Sequence, residues 1–174
     1  MPTSPIKSEP LSTAYSTPLT SACPLCTRVA HAHTDPALLA NFGSCIAILG
    51  DNQGPRGWCT LITTTHHEHL DHLTAAAQQE LFGHVARVAR AIRTVFATSG
   101  AGGGPPRLNY ECLGNVCPHI HWHIIPRHAA DPTPNATVWG WDAATLAGTR
   151  DHFTQDAAAL RSALTRNVND EGVL

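Results

Sequence analysis

A chain of 174 residues with 43% hydrophobic and only 14% charged side chains is long enough to fold as one domain around a real core. Its net charge of −2 creates no basic field of the kind that draws a protein to nucleic acid. No apolar run approaches the ~20 residues that span a bilayer, and Lys7 and Glu9 are followed by no apolar core of a secretory signal. The expectation is a cytoplasmic protein with neither a nucleic-acid nor a membrane partner.

Residues 1–21 are rich in Pro, Ser and Thr without apolar periodicity, and they predict a flexible N-terminal extension. A single domain then runs over 22–174, with a C-terminal tail. Cys23 and Cys26 have the two-residue gap that lets two thiolates grip one tetrahedral zinc ion, although a redox or incidental pair has the same spacing. Cys45, Cys59, Cys112 and Cys117 read as small buried residues in apolar segments. Ala37 to Asn41 predicts a short helix or an irregular turn. Cys45 to Leu49 and Trp58 to Thr63 predict two strands, the second rich in β-branched residues, joined antiparallel across the turn-forming run Gly50 to Pro55.

Thr74 to Thr98 is the strongest helix pattern. Thr74 is a suitable N-cap, and Leu81, Val85, Val88, Ile92 and Val95/Phe96 recur at three- and four-residue steps on one face. The run Ser99 to Pro106 ends it. Arg107 to Cys112 predicts a third strand, Gly114-Asn115 a turn, and His119 to Pro126 a fourth strand. Beyond it the chain is turn-like to Gly140, and Ala143 to Thr165 carries only a weak helical pattern.

The fourth strand carries the chemistry. Alternate side chains of a strand share a face, so His119, His121 and His123 form a row of imidazoles, while Ile120, Trp122 and Ile124 line the opposite, core-facing side. Two uses of such a row compete. Neutral imidazoles hold a catalytic metal when a further ligand stands near, but His123 is followed by Ile-Ile-Pro-Arg without a carboxylate. Alternatively, one imidazole attacks phosphorus and its neighbours position the phosphate. The remaining scattered histidines, such as His31, His33, His72, His84, His128 and His152, require nothing beyond composition.

The run Leu113-Gly-Asn-Val-Cys-Pro-His-Ile-His-Trp-His-Ile-Ile-Pro-Arg127 closely resembles the signature of the histidine triad family, in which three histidines alternate with apolar residues. Arg56 to Arg127 also resembles bacterial members, at Gly57-Trp58, at His66-x-x-His69-Leu70 and over the helix, and the likeness extends over roughly residues 23–142. The resemblance implies an α+β fold: an antiparallel sheet of about five strands, one long helix packed on it, and shorter helices. It also implies a homodimer formed through that helix and a sheet edge.

For the site, the resemblance makes His121 the nucleophile that takes the nucleotidyl group as a phosphoramidate, and His123 a ligand of the α-phosphate. Asn109 falls at a position that contacts the phosphate and the surroundings of the nucleophile. Asn115, where many relatives have Gln, and Asp51, near the family's ribose-binding acid, are further substrate-binding candidates. Relatives with the cysteine pair complete a zinc site with two histidines, which here implies Cys23, Cys26, His66 and His119. His67 and His69 compete for the third place. A four-ligand site without an open position is structural; it removes His119 from catalysis, and no catalytic metal is required. The implied activity is hydrolysis of a phosphoanhydride or phosphoramidate bond in a purine nucleotide or dinucleotide, such as a dinucleoside polyphosphate. Nucleotidyl transfer to another acceptor, a nucleotide-binding regulator with incidental turnover, and a zinc-binding interaction module with an inactive triad remain as alternatives.

Overall fold

The computed structural model describes residues 22–170, so the predicted N-terminal extension lies outside the described residues. The first element, α1 (Pro24–Ala30), begins with a proline, whose missing N–H is harmless in a first helical turn and whose fixed φ suits it. Two hairpin strands follow, β1 (Leu38–Asn41) and β2 (Cys45–Leu49), and then β3 (Cys59–Thr63), the long helix α2 (Ala75–Val95), β4 (Arg107–Glu111) and β5 (His121–Arg127). Two C-terminal helices close the chain, α3 (Ala143–Ala147) and α4 (Phe153–Asp170). The five strands form one antiparallel sheet in the order β1-β2-β3-β5-β4. This is the α+β architecture expected.

Side-chain alternation divides the sheet into two faces. Cys45, Ala47, Leu49, Cys59, Leu61 and Ile124 point to one side, where Leu81, Val85, Val88 and Ile92 of α2 and Leu160 and Leu164 of α4 meet them. Thr74 caps α2 as expected, its hydroxyl accepting from the Ala77 N–H. On the other side, Ile46, Ile48 and Ile62 pack against Leu25 and Val29 of α1. The register puts Thr60 opposite His123 and Ile62 opposite His121, so the two histidines stand on this second face, away from the long helix. Every residue of β2 and β3 is buried, because both faces are covered.

Several expectations need correction. Ala37 to Asn41 contributes a strand rather than a helix or irregular turn. Its four residues carry no readable period, and pairing to β2 decides their conformation, with Leu38 opposite Ile48 and Asn41 opposite Ile46. The weak pattern after Ala143 resolves into two helices, the first capped by the Asp142 carboxylate on the Ala144 and Thr145 N–H groups. The fourth predicted strand starts two residues late, at His121, so His119 precedes the strand instead of beginning its row of imidazoles. Cys45 and Cys59 are buried as expected, but Cys112 is exposed and Cys117 half-buried.

Before β3 the chain turns through Gly57 at φ +89°, a left-handed conformation that favours glycine. A Cβ there would also lie 2.3 Å from the Phe96 ring at the end of α2. After β5, the buried Arg127 holds the return segment. Its Nε donates to Asp131 at 2.7 Å, and its two terminal nitrogens donate to the Ala136 and Thr133 carbonyls at 2.6 and 2.9 Å. That anchor sets Val138 and Trp139 over the second face. No described helix is long and apolar enough to cross a membrane.

Candidate active site and metal centre

A cavity of about 550 Å³ opens on the second face, within the size range of small-molecule sites. His121, His123, Trp58 and Trp139 line it near the strand ends, and Leu25, Ile48 and Ile62 give it an apolar wall. Asp51 and Asn115, both expected at the substrate, line it as well. Asn109 lies opposite Ile125 on the same sheet face as His123 but is not part of the cavity lining. The residue opposite His123 on β4 is Glu111, and its carboxylate accepts from the Trp139 indole N–H.

Hydrogen bonding fixes which nitrogen of each imidazole carries the proton. His121 Nδ1 lies 2.6 Å from the His119 carbonyl oxygen. A carbonyl only accepts, so Nδ1 bears a hydrogen, and in the neutral ring Nε2 carries the lone pair. His123 is set the other way. The Trp58 indole, which only donates, points its N–H at His123 Nδ1 across 3.2 Å. Burial, helped by the neighbouring His121, pushes the His123 pKa down to about 4. The ring is therefore neutral at physiological pH, and its proton sits on Nε2. The two imidazoles, 4.9 Å apart and nearly perpendicular, thus present one lone pair and one N–H. Trp58 and Trp139 meet edge-on at 5.5 Å and both contact the His123 ring.

At the rim, Asp51 is not a free carboxylate. Arg28 of α1 donates to both of its oxygens, at 2.6 and 3.3 Å, while the Arg28 Nε is held by Asp35 at 2.9 Å. An acidic side chain 69% exposed is in this way fixed in one orientation.

Beside the cavity, four buried side chains converge: Cys23, Cys26, His66 and His119, with donor atoms within 4.8 Å of one another. Of the three histidines that compete before the long helix, the fold brings His66 to the cysteines. His67 instead offers its carbonyl to the Ile120 N–H, and the His69 ring meets His72 edge-on. His66 Nδ1 is 3.2 Å from Cys26 Sγ, and His119 Nδ1 is 3.5 Å from each sulfur. Donors of a tetrahedral zinc ion, with Zn–S and Zn–N bonds of standard length, stand roughly 3.3–3.8 Å apart, so these separations fit. The other ring nitrogen fits too: His119 Nε2 donates to the Thr63 carbonyl at 2.9 Å, which leaves Nδ1 to face the cysteines.

Trp139, Glu111 and Arg28 were not among the residues singled out from sequence. Trp58 enters there as the start of a strand and as part of the Gly57-Trp58 resemblance, without a role at the site, and its bond to His123 spans 65 positions. No local pattern announces it.

The HIT-domain family profile matches residues 31–130, more than half of the chain. No curated protein sequence matches significantly. Among solved structures, a histidine triad protein from Bradyrhizobium japonicum superposes with a TM-score of 0.60 at 22% identity, over 77% of this chain and 96% of that one. A zinc-bound histidine triad family protein from Mycobacterium smegmatis does so with a TM-score of 0.58 at 21% identity, over 86% and 97%. A hypothetical histidine triad nucleotide-binding protein from Sulfolobus tokodaii gives 0.59 at 17% identity, over 81% and 93%. At these identities the structural likenesses speak for the fold, and it is the profile match that establishes descent: the chain belongs to the histidine triad family.

Proposed function

We propose that this chain is a nucleotide hydrolase that cleaves a phosphoanhydride or phosphoramidate bond at the α-phosphate of a purine nucleotide or dinucleotide, through a nucleotidyl-histidine. The observation that carries the reading is the opposite setting of the two imidazoles facing the cavity: His121 Nδ1 is taken up by the His119 carbonyl and His123 Nδ1 by the Trp58 N–H, so that in the neutral rings Nε2 is a lone pair on His121 and an N–H on His123. Hydrolysis by double displacement needs that pair. The His121 Nε2 lone pair attacks phosphorus, the bond to the leaving group breaks, and a P–N bond forms. The His123 Nε2–H meets a phosphate oxygen as charge builds on it. Water then attacks phosphorus, the P–N bond breaks, and His121 returns to its starting state with release of a nucleoside monophosphate.

The rest of the cavity suits a nucleoside. Leu25, Ile48 and Ile62 offer an apolar wall to a base, the fixed Asp51 carboxylate offers acceptors to ribose hydroxyls, and Asn115 offers an amide on the phosphate side. We assign the four-residue cluster to a structural zinc ion held by Cys23, Cys26, His66 and His119. When bound, zinc cross-links α1 to the segments before α2 and β5, with no acid–base chemistry of its own. Closing the donor set leaves His119 two tasks, to ligate through its ring and to hold His121 through its carbonyl.

Rapid chemical quenching of the enzyme with α-phosphorus-labelled diadenosine polyphosphate tests the reaction. The expected result is transient label on a peptide containing His121, stable to alkali and lost in acid, with adenosine monophosphate as the final product. Net inversion at phosphorus with no labelled protein would overturn it.

A further inference from the structure

A third sulfur stands at the metal centre. Cys117 Sγ lies 3.4 Å from Cys23 Sγ, across 94 residues of sequence, and is not one of the four converging donors. Its surroundings differ from those of Cys23. Cys23 is buried, whereas Cys117 is half-buried and forms part of the cavity wall with Leu113, Asn115 and Val116 of the same loop. A small polar oxidant entering the cavity therefore meets Cys117 first, with Cys23 directly behind it.

We propose that Cys117 and Cys23 form an oxidisable thiol pair through which peroxide dismantles the metal centre. The metal part of this inference rests on the zinc reading above; the thiol pair stands on geometry alone. In the first step the Cys117 thiol takes one oxygen from hydrogen peroxide, giving a sulfenic acid and one water. In the second, the Cys23 thiolate attacks the sulfenic sulfur, hydroxide leaves and is protonated to a second water, and the disulfide forms. The two sulfurs together lose two electrons and peroxide gains them. Closing the bond to its length of roughly 2.05 Å requires the sulfurs to approach by about 1.4 Å, a side-chain movement. Cys23 can then no longer act as a thiolate ligand, so the metal retains three donors. The same bond draws the Leu113–Pro118 loop, and Asn115 with it, towards α1.

The other cysteines set the contrast. Cys45 and Cys59 are completely buried within the sheet, where an oxidant entering the cavity does not reach them, so neither competes. Cys112 is the most open to solvent and serves as the control for indiscriminate oxidation.

The test uses the full chain with its zinc content measured first. Hydrogen peroxide is added, released zinc is followed with a colorimetric chelator, and unreduced peptides are mapped by mass. Wild type is expected to release its zinc as a Cys23–Cys117 disulfide accumulates, and to recover on reduction in the presence of zinc. C117A is expected to release zinc at least tenfold more slowly, and C112A at the wild-type rate. Equal rates for C117A and wild type, or a map dominated by Cys23–Cys26, overturn the proposal. If the isolated protein holds no zinc, the zinc reading fails, yet the peptide map still decides the thiol pair: Cys23–Cys117 supports it and its absence refutes it.

Discussion

His119 and His121 are two residues apart, both buried, and both have one ring nitrogen committed to a backbone carbonyl, yet the fold prepares them for unlike tasks. His119 gives its Nε2 proton to Thr63 and turns Nδ1 into a closed set of four donors. His121 gives its Nδ1 proton to the His119 carbonyl and keeps Nε2 for a cavity open to solvent. On the proposed function, residue type does not distinguish the structural ligand from the nucleophile. The carbonyl that takes the other proton does, together with whether the free nitrogen faces a filled or an open space.

The comparison breaks most visibly at His121. Replacing it by Ala removes the bond-forming atom, so single-turnover cleavage should fall about ten-thousand-fold, roughly 5 kcal/mol, while equilibrium binding of a nucleoside monophosphate persists. A variant that keeps near-normal turnover refutes the assignment.

Cys26→Ser probes the other half. It should release the metal and lower stability by about 4 kcal/mol, or roughly 10 °C in melting temperature, while the share of protein still folded reacts at the normal rate per active site. If turnover collapses with no change in melting or metal content, the cluster belongs to catalysis and the contrast drawn here is wrong.

The smallest effect is the sharpest. Trp58→Phe keeps an aromatic wall but deletes the N–H that faces His123 Nδ1. Freed to exchange tautomers, His123 should lose about tenfold in kcat, near 1.4 kcal/mol, with KM little changed. An unchanged kcat would show that the indole serves packing alone.

Much of this was legible before any coordinates. The α2 period was readable because one apolar face meets a sheet along the whole helix, and the β5 alternation because its two faces have opposite chemistry: imidazoles towards the cavity, and Trp122 and Ile124 away from it. Other features depend on partners distant in sequence. β1 is a strand because β2 pairs with it, and its four residues hold no period of their own. Choosing His66 over His67 and His69 needs the path of the loop that carries all three. Arg28 holds Asp51 across 23 positions and Cys117 reaches Cys23 across 94, so neither contact leaves a local mark. The burial expected of Cys112 and Cys117 fails for the same reason: both sit next to apolar residues in sequence, but Cys112 is exposed just past the end of β4 and Cys117 is half-buried on a loop that lines the cavity.

The left-handed turn at Gly57 ties evolutionary freedom at one end of the long helix to the cavity. The Phe96 ring occupies the space where a side chain at position 57 would begin, and position 58 carries the indole that sets the His123 tautomer. Drift at either Gly57 or Phe96 is therefore conditional on the other. A larger residue at 57 meets both an unfavourable backbone conformation and the ring, and trimming Phe96 relieves only the second penalty. The end of α2 thus acts as an epistatic constraint on turnover, although Phe96 itself lies outside the cavity.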